Sequence, residues 1–256
     1  MTHAAQDATA GSVTLIGGGP GDWDLLTVRG LRRLETADVI LADHLGPATQ
    51  LEEFLDISGK EVIDVSKLPY GRQVAQEKIN ELLVTHAQKG KRVARLKGGD
   101  PYIFGRGFEE LQACAAAGIA CEVVPGVTSA ISVPGLAAVP LTHRGMVHSF
   151  SVISGHIAPS NPQSLNNWEA LAQSGGTLVV IMGVKNAPHI AAALLAGGRD
   201  PQTPIAVIQE GATEKQRTYF GELENLGELL RTHEIKPPAV YVIGEVAALA
   251  GTLERG

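Results

Sequence analysis

The chain has only two cysteines, Cys114 and Cys121, in 256 residues. That scarcity leaves no disulfide framework, no Cys-x-x-Cys pair and no Cys/His cluster for a structural zinc. The histidines are scattered without metal-ligand spacing, so no metal is expected. Both thiols are expected reduced, Cys114 on a helix and Cys121 on the strand after it. Aromatic residues are scarce at 4% in a composition otherwise ordinary for a soluble globular protein. No apolar run approaches the roughly 20 residues that span a bilayer, which excludes a membrane partner of that kind. The opening MTHAAQDATAGS lacks a basic and then an apolar region, so it is not a secretory signal, and a cytoplasmic location is expected. A basic surplus is missing too: the formal net charge is −6, which argues against a general nucleic-acid binder.

What is present is organised around RLKGGDPYIFGRG, residues 95–107. Gly98, Gly99, Gly105 and Gly107 lack the Cβ that would hinder a sharp turn or close approach to a ligand. A glycine corner at the C-terminal end of a strand is where open α/β sheets bind ligands. Around it Lys89, Lys91, Arg92, Arg95, Lys97 and Arg106 are interrupted only by Asp100, a patch suited to an anionic ligand. A second glycine loop, GGGPGD at 17–22, follows a strand at 13–17. Its G-x-G-x-G spacing, with Pro20 in the turn, departs from the G-x-G-x-x-G of dinucleotide sites, and no G-K-[ST] follows. A nicotinamide-dependent oxidoreductase or nucleotide-binding module is therefore the alternative that this spacing disfavours.

The chain in order supports an α/β fold. Strands are expected at 38–41, 61–65, 92–96 and 121–124, alternating with helices beginning after Thr27 and at 47–55, 73–88 and 106–117. Such alternation indicates a parallel sheet. The inward faces are read as Val28, Leu31 and Leu34; then Ile79, Leu82, Leu83 and Ala87; then Phe108, Leu111 and Ala115. Pro125-Gly126 is the candidate hinge, giving an N-terminal domain over 11–125 and a C-terminal domain over 126–256. Strands restart at 149–154, 177–182, 204–209 and 239–244, with a helix at 187–195 and a polar loop at 155–166 as a candidate lid. Asp43, just past a strand, suits either a helix cap or a functional carboxylate.

Several separated motifs agree: LIGGGPGDWDLLTVRG (15–30), ADVILADHL (37–45), RLKGGDPYIFGRGFEEL (95–111), VVPGVTSA (123–130), PLTHRG (140–145) and QEGATEKQR (209–217). In this order they resemble the uroporphyrinogen-III C-methyltransferases of the tetrapyrrole methylase superfamily. The resemblance implies two α/β domains with the active-site cleft between them, a homodimer, and S-adenosyl-L-methionine as co-substrate, leaving as S-adenosyl-L-homocysteine. It implies transfer of two methyl groups to uroporphyrinogen III, giving precorrin-2 by way of precorrin-1; another member of the superfamily, acting on a later corrin intermediate, is the nearer alternative. Donor binding is implied for Pro20, Gly98, Gly99, Asp100, Ile103, Thr128, Ser129, Met182 and Gly211. On its strength Met182 passes from core filler to ligand contact. Tetrapyrrole binding is implied for Arg106, Glu109 and Arg144, and catalytic roles for Asp43, Lys67 and Arg106. The chain departs from the family pattern around Asp43 and after Lys67, where Ala42-Asp43-His44-Leu45 and Ser66-Lys67-Leu68 replace Tyr-Asp-Arg-Leu and Gly-Lys-Arg. The first motif starts close to the N-terminus, so no fused dehydrogenase–chelatase module is expected before it.

Overall fold

The computed structural model describes residues 11–43, 46–67 and 72–252. The chain divides into two compact units just after Thr128. The first holds one sheet of β1 (Ser12–Gly17), β2 (Val39–Ala42), β3 (Glu61–Asp64), β4 (Arg92–Lys97) and β5 (Ala120–Val124), in the order β3-β2-β4-β1-β5. Every pairing in it is parallel, as the alternation predicts. Its helices are α1 (Val28–Thr36), α2 (Leu51–Phe54), α3 (Arg72–Gln88) and α4 (Gly107–Ala116).

Strand side chains alternate between two faces. Val13, Leu15, Val39, Leu41 and Val93 pack with Ile79 and Leu83 of α3 and Cys114 of α4. Ile16, Ile40, Ala94 and Leu96 pack with Leu34 of α1 and Leu51 of α2. Consequently the adjacent strands β1 and β4 send their following helices, α1 and α4, to opposite faces. This is a topological switch point, the place where open α/β sheets form a ligand crevice.

Local chemistry sets the helix boundaries, with some departures from expectation. Thr27 caps α1, its Oγ1 accepting from Gly30 N at 3.1 Å. Gly30 and Leu34 are buried but Val28 is 67% exposed, because the inward face of α1 runs through Gly30, which lies against Ile16, and Leu34. The α3 stripe is as expected, with Ile79, Leu83 and Ala87 buried. The stripe of α4 is rotated: Gly107, Glu110 and Cys114 are buried, Leu111 packs partly buried against the same core as expected, and Phe108 is 58% exposed with its ring edge against Tyr102. Residues 46–50 form a 3₁₀ turn before the single helical turn of α2.

The second unit holds β6 (Phe150–Ser154), β7 (Thr177–Ile181), β8 (Pro204–Gln209), β9 (Arg217–Glu222) and β10 (Ala239–Ile243), in the order β6-β7-β10-β8-β9. Only β6 and β7 run parallel; β10 is antiparallel to both neighbours. Helices α5 (Ser129–Leu136), α6 (Trp168–Gln173), α7 (Ala187–Ala196) and α8 (Leu226–Thr232) complete it. Ala187, Ile190, Ala191 and Leu194 of α7 are buried in its main core together with Leu178, Val180 and Tyr241. Since β7 and β8 are each antiparallel to β10, their C-terminal ends share one edge of the sheet.

Candidate active site

In the first unit the loops after β1, β4 and β5 meet in backbone contact. Gly99 N donates to Gly19 O at 2.7 Å and Gly19 N donates back to Gly99 O at 3.2 Å, sealing the switch point. A Cβ on Gly17 would lie 2.5 Å from Gly126 Cα, and one on Gly126 would lie 2.2 Å from Gly99 O. These glycines therefore let three chain segments close on each other. Asp100 fastens the corner: Oδ1 accepts from Tyr102 N at 2.8 Å and Oδ2 from Gly126 N at 3.0 Å. After the β1 loop comes a 3₁₀ turn at Trp23–Leu25, so no helix N-terminus points into the loop as a phosphate site would need. Pro20, Gly98 and Gly99 are half-buried at this corner, while Ile103 is 43% exposed. Phe104 and Arg106 have φ of 56° and 58°, uncommon for residues with a Cβ.

The cationic patch of the sequence reading is dismantled by the strand's geometry. Arg92 stands at the opposite, N-terminal end of β4, bidentate to Asp38. Arg95 and Lys97, two residues apart, both point into the α3/α4 face and are 3% and 4% exposed. There Glu110, fully buried, accepts through Oε1 from Lys97 Nζ at 2.8 Å, Arg95 Nε at 3.2 Å and Gln76 Nε2 of α3 at 3.3 Å. Burial, and next the charge of Arg95, push the Lys97 ammonium below its ordinary value against the pull of Glu110. Glu110 is the residue that sequence reasoning overlooked. Its signal was the inward spacing of 107, 110 and 114 on α4.

Asp43, directly after β2, is partly exposed and accepts at Oδ2 from Arg95 Nη2 at 3.3 Å. It thus stands at the same C-terminal edge of the sheet as the glycine corner. Arg106 is the N-cap of α4 and donates to Glu109 through Nε at 2.8 Å and Nη2 at 2.6 Å. That bond holds the Glu109 carboxyl below its ordinary range and raises the Arg106 guanidinium. Lys67 ends the 3₁₀ turn after β3; its side chain, residues 68–71 and His44-Leu45 lie outside the described residues. Among the described residues no group of His, Cys, Asp and Glu could hold a metal ion. No described helix is long and apolar enough to cross a membrane.

In the second unit Met182 leaves β7 with φ of 56° and is 47% exposed. Gly211 follows β8 on the same sheet edge, between Glu210 and Ala212, which also have positive φ. A Cβ on Gly211 would lie 2.3 Å from Val133 Cγ1 of α5, so the strand end rests directly on that helix. Thr128 closes the first unit, Ser129 opens α5, and both are half-buried. Arg144 is exposed in the turn between the paired His143 and Val147. The 155–166 loop is tied down rather than loose at its start, since Asn186 Nδ2 donates to Gly155 O at 2.8 Å and His156 O at 3.0 Å.

Comparison with known proteins follows the same lines. The family model for tetrapyrrole (corrin/porphyrin) methylases matches residues 12–227. An S-adenosyl-L-methionine-dependent uroporphyrinogen III methyltransferase of Methanosarcina barkeri is 44% identical, over 93% of each chain. A siroheme synthase of Tolumonas auensis is 46% identical over 97% of this chain, which spans about half (52%) of that protein's length. Among solved structures, the uroporphyrin-III C-methyltransferase of Thermus thermophilus complexed with S-adenosyl homocysteine is 38% identical, with a TM-score of 0.75 over 93% of this chain and 100% of that one. The parallel sheet with its sealed switch point, the strained strand ends and these likenesses agree: the chain belongs to the tetrapyrrole methylase family.

Proposed function

We propose that the chain is an S-adenosyl-L-methionine-dependent C-methyltransferase that adds two methyl groups to uroporphyrinogen III, giving precorrin-2 by way of precorrin-1. The observation that carries this is the 44% identity, over 93% of each chain, with the Methanosarcina barkeri uroporphyrinogen III methyltransferase. The Thermus structure holding S-adenosyl homocysteine supports the donor. Donor binding is proposed for Pro20, Gly98, Gly99, Asp100 and Ile103, and likewise for Thr128, Ser129, Met182 and Gly211. The glycine corner suits the polar amino-acid end through backbone groups; Ile103 and Met182, half-exposed and apolar, suit the remainder.

A sulfonium donor makes the reaction an in-line displacement by an electron-rich pyrrole carbon. Holding carbon and methyl in line is the main task, and such positioning is worth roughly 7–11 kcal/mol. The macrocycle must also lose a proton. Arginine stays protonated, so Arg106 acts as an electrostatic clamp on the substrate, and Asp43 or a water accepts the proton. Lys67 supplies a proton donor on the same reading. Glu109 holds the Arg106 fork in shape, and Arg144 adds a second cation for a polycarboxylate substrate. A homodimeric, cytoplasmic enzyme completes the proposal. Purified chain incubated with uroporphyrinogen III and labelled donor should yield a product carrying two labelled methyls. Absence of label in the tetrapyrrole would overturn it.

A further inference from the structure

The structure assigns Arg95 as a positioning residue for Asp43, with Glu110 as the buried anchor that fixes it. This rests on Asp43 being the site's proton acceptor. The Arg95 guanidinium is held from four directions. Nε donates to Glu110 Oε1 at 3.2 Å, Nη1 donates to Leu96 O at 2.8 Å and Leu41 O at 3.4 Å, and Nη2 donates to Asp43 Oδ2 at 3.3 Å. Leu41 and Leu96 lie near the C-terminal ends of β2 and β4, so the fork bridges the two strands just beneath the point where Asp43 emerges. With three of its contacts on buried backbone and buried carboxylate, the direction of Nη2 is decided before it reaches Asp43.

Glu110 is in turn immobilised, because one of its oxygens serves donors from both β4 and α3. Its other oxygen, Oε2, has no hydrogen-bond partner among the described residues. Stability alone does not explain such a cluster, since apolar packing of the same volume usually serves a core as well or better. What it achieves is rigidity at one partly exposed carboxylate. Arginine suits that task and lysine does not, because only the planar fork can hold two strands, a glutamate and an aspartate at once.

A double-mutant cycle tests this. Arg95→Gln and Asp43→Asn should each lower kcat for methyl transfer by roughly tenfold or more, with S-adenosyl-L-homocysteine affinity within about twofold of wild type. The double variant should be no slower than the worse single one, because the two residues act as a unit. Arg95→Lys, which keeps the charge and so is the safer variant to fold, should show the same loss in kcat. Wild-type turnover in Arg95→Lys, or losses that multiply in the double variant, would overturn the assignment. Failure of the wild-type chain to methylate uroporphyrinogen III would instead remove the proposed function. The arginine's own NMR signals decide the positioning contact in that case: separate Nη1 and Nη2 resonances, with Nη2 moved by Asp43→Asn, are expected. An Nη2 signal indifferent to Asp43→Asn would overturn it.

Discussion

Gly126 N donates to Asp100 Oδ2 at 3.0 Å, and this one bond ties the loop after β5 to the loop after β4. The same carboxylate also accepts from Tyr102 N, so Asp100 shapes its own turn while holding a neighbouring one. Hydrogen bonds to a charged group contribute about 1.5–3 kcal/mol when buried, less in this case because Asp100 is only half-buried. Asp100→Ala, which loses two such reduced bonds, should therefore destabilise by about 2 kcal/mol in all and weaken S-adenosyl-L-homocysteine binding. Asp100→Asn should cost less, since its carbonyl oxygen can still accept one of the two bonds. Denaturant titration and calorimetry would check both; equal effects of Ala and Asn would contradict the clasp.

The glycines of the same corner give a sharper test. An alanine Cβ at position 126 would sit 2.2 Å from Gly99 O, a backbone atom that cannot swing aside. Gly126→Ala should cost at least the 1–3 kcal/mol or so typical of overpacking, and donor binding should fall with it. Gly135, in α5, is the control: nothing lies within 4 Å of its Cβ position and its φ is not positive. Gly135→Ala should be neutral or stabilising by up to about 1 kcal/mol. Thermal unfolding of both variants, side by side, would reveal any reversal of that order.

Much of this was legible in sequence because it depends on local rules. Strand–helix alternation foretold the parallel first sheet, the Thr27 cap foretold the start of α1, and the i, i+3, i+4 spacing foretold the buried face of α3. The charges misled. Clustered cations in the chain read as a surface patch, yet a strand's period of two sends Arg95 and Lys97 to one face, and that face was covered by α4. No single-strand pattern announces a buried glutamate on a helix fifteen residues away in one case and thirteen in the other. The mixed second sheet was hidden for a related reason: strand direction is set by long-range pairing, and short apolar runs such as β7 and β10 look alike whichever way they run.

At the second unit's strand edge, Gly211 and Val133 should be coupled. A Cβ on Gly211 would meet the branched Val133 side chain at 2.3 Å. Gly211→Ala alone should destabilise by about 1–3 kcal/mol. Shortening the opposing residue with Val133→Ala should recover part of that loss, a non-additivity of roughly 0.5 kcal/mol or more. Simple additivity in the double variant would place the strain of Gly211→Ala elsewhere, in the backbone between Glu210 and Ala212.

Asp38 supplies a pH-dependent element far from the site. The Arg92 guanidinium beside it, aided by the Arg92 amide, holds its carboxyl down to about 2 from an ordinary 3.8. A carboxyl depressed in the folded state stabilises above its unfolded pKa, and that contribution is lost as pH falls through the folded value. The window is thus about pH 4 down to about 2. With the pair partly solvated, the contribution should stay below about 1 kcal/mol. Wild type and Asp38→Asn should differ at pH 7 and converge near pH 2 in denaturant titrations; a gap that widened on acidification would reverse that sign.

Salt should separate the two substrates. Arg95 and Lys97 are spent on Glu110 and Asp43, and Arg92 on Asp38; Arg106, exposed although paired with Glu109, and Arg144 are the cations proposed to meet the polycarboxylate. Both are exposed enough to be screened, since the Debye length is about 10 Å at 0.1 M salt. KM for uroporphyrinogen III should rise with added salt, whereas affinity for S-adenosyl-L-homocysteine, proposed to rest on backbone groups and small side chains, should not. Arg144→Ala should raise KM at low salt and flatten its dependence. Lys89→Ala, removing a cation in the turn at the opposite end of β4, should leave the slope alone. A KM indifferent to salt in the wild-type chain would mean that shape rather than charge selects the tetrapyrrole, and Arg106 would then need another role.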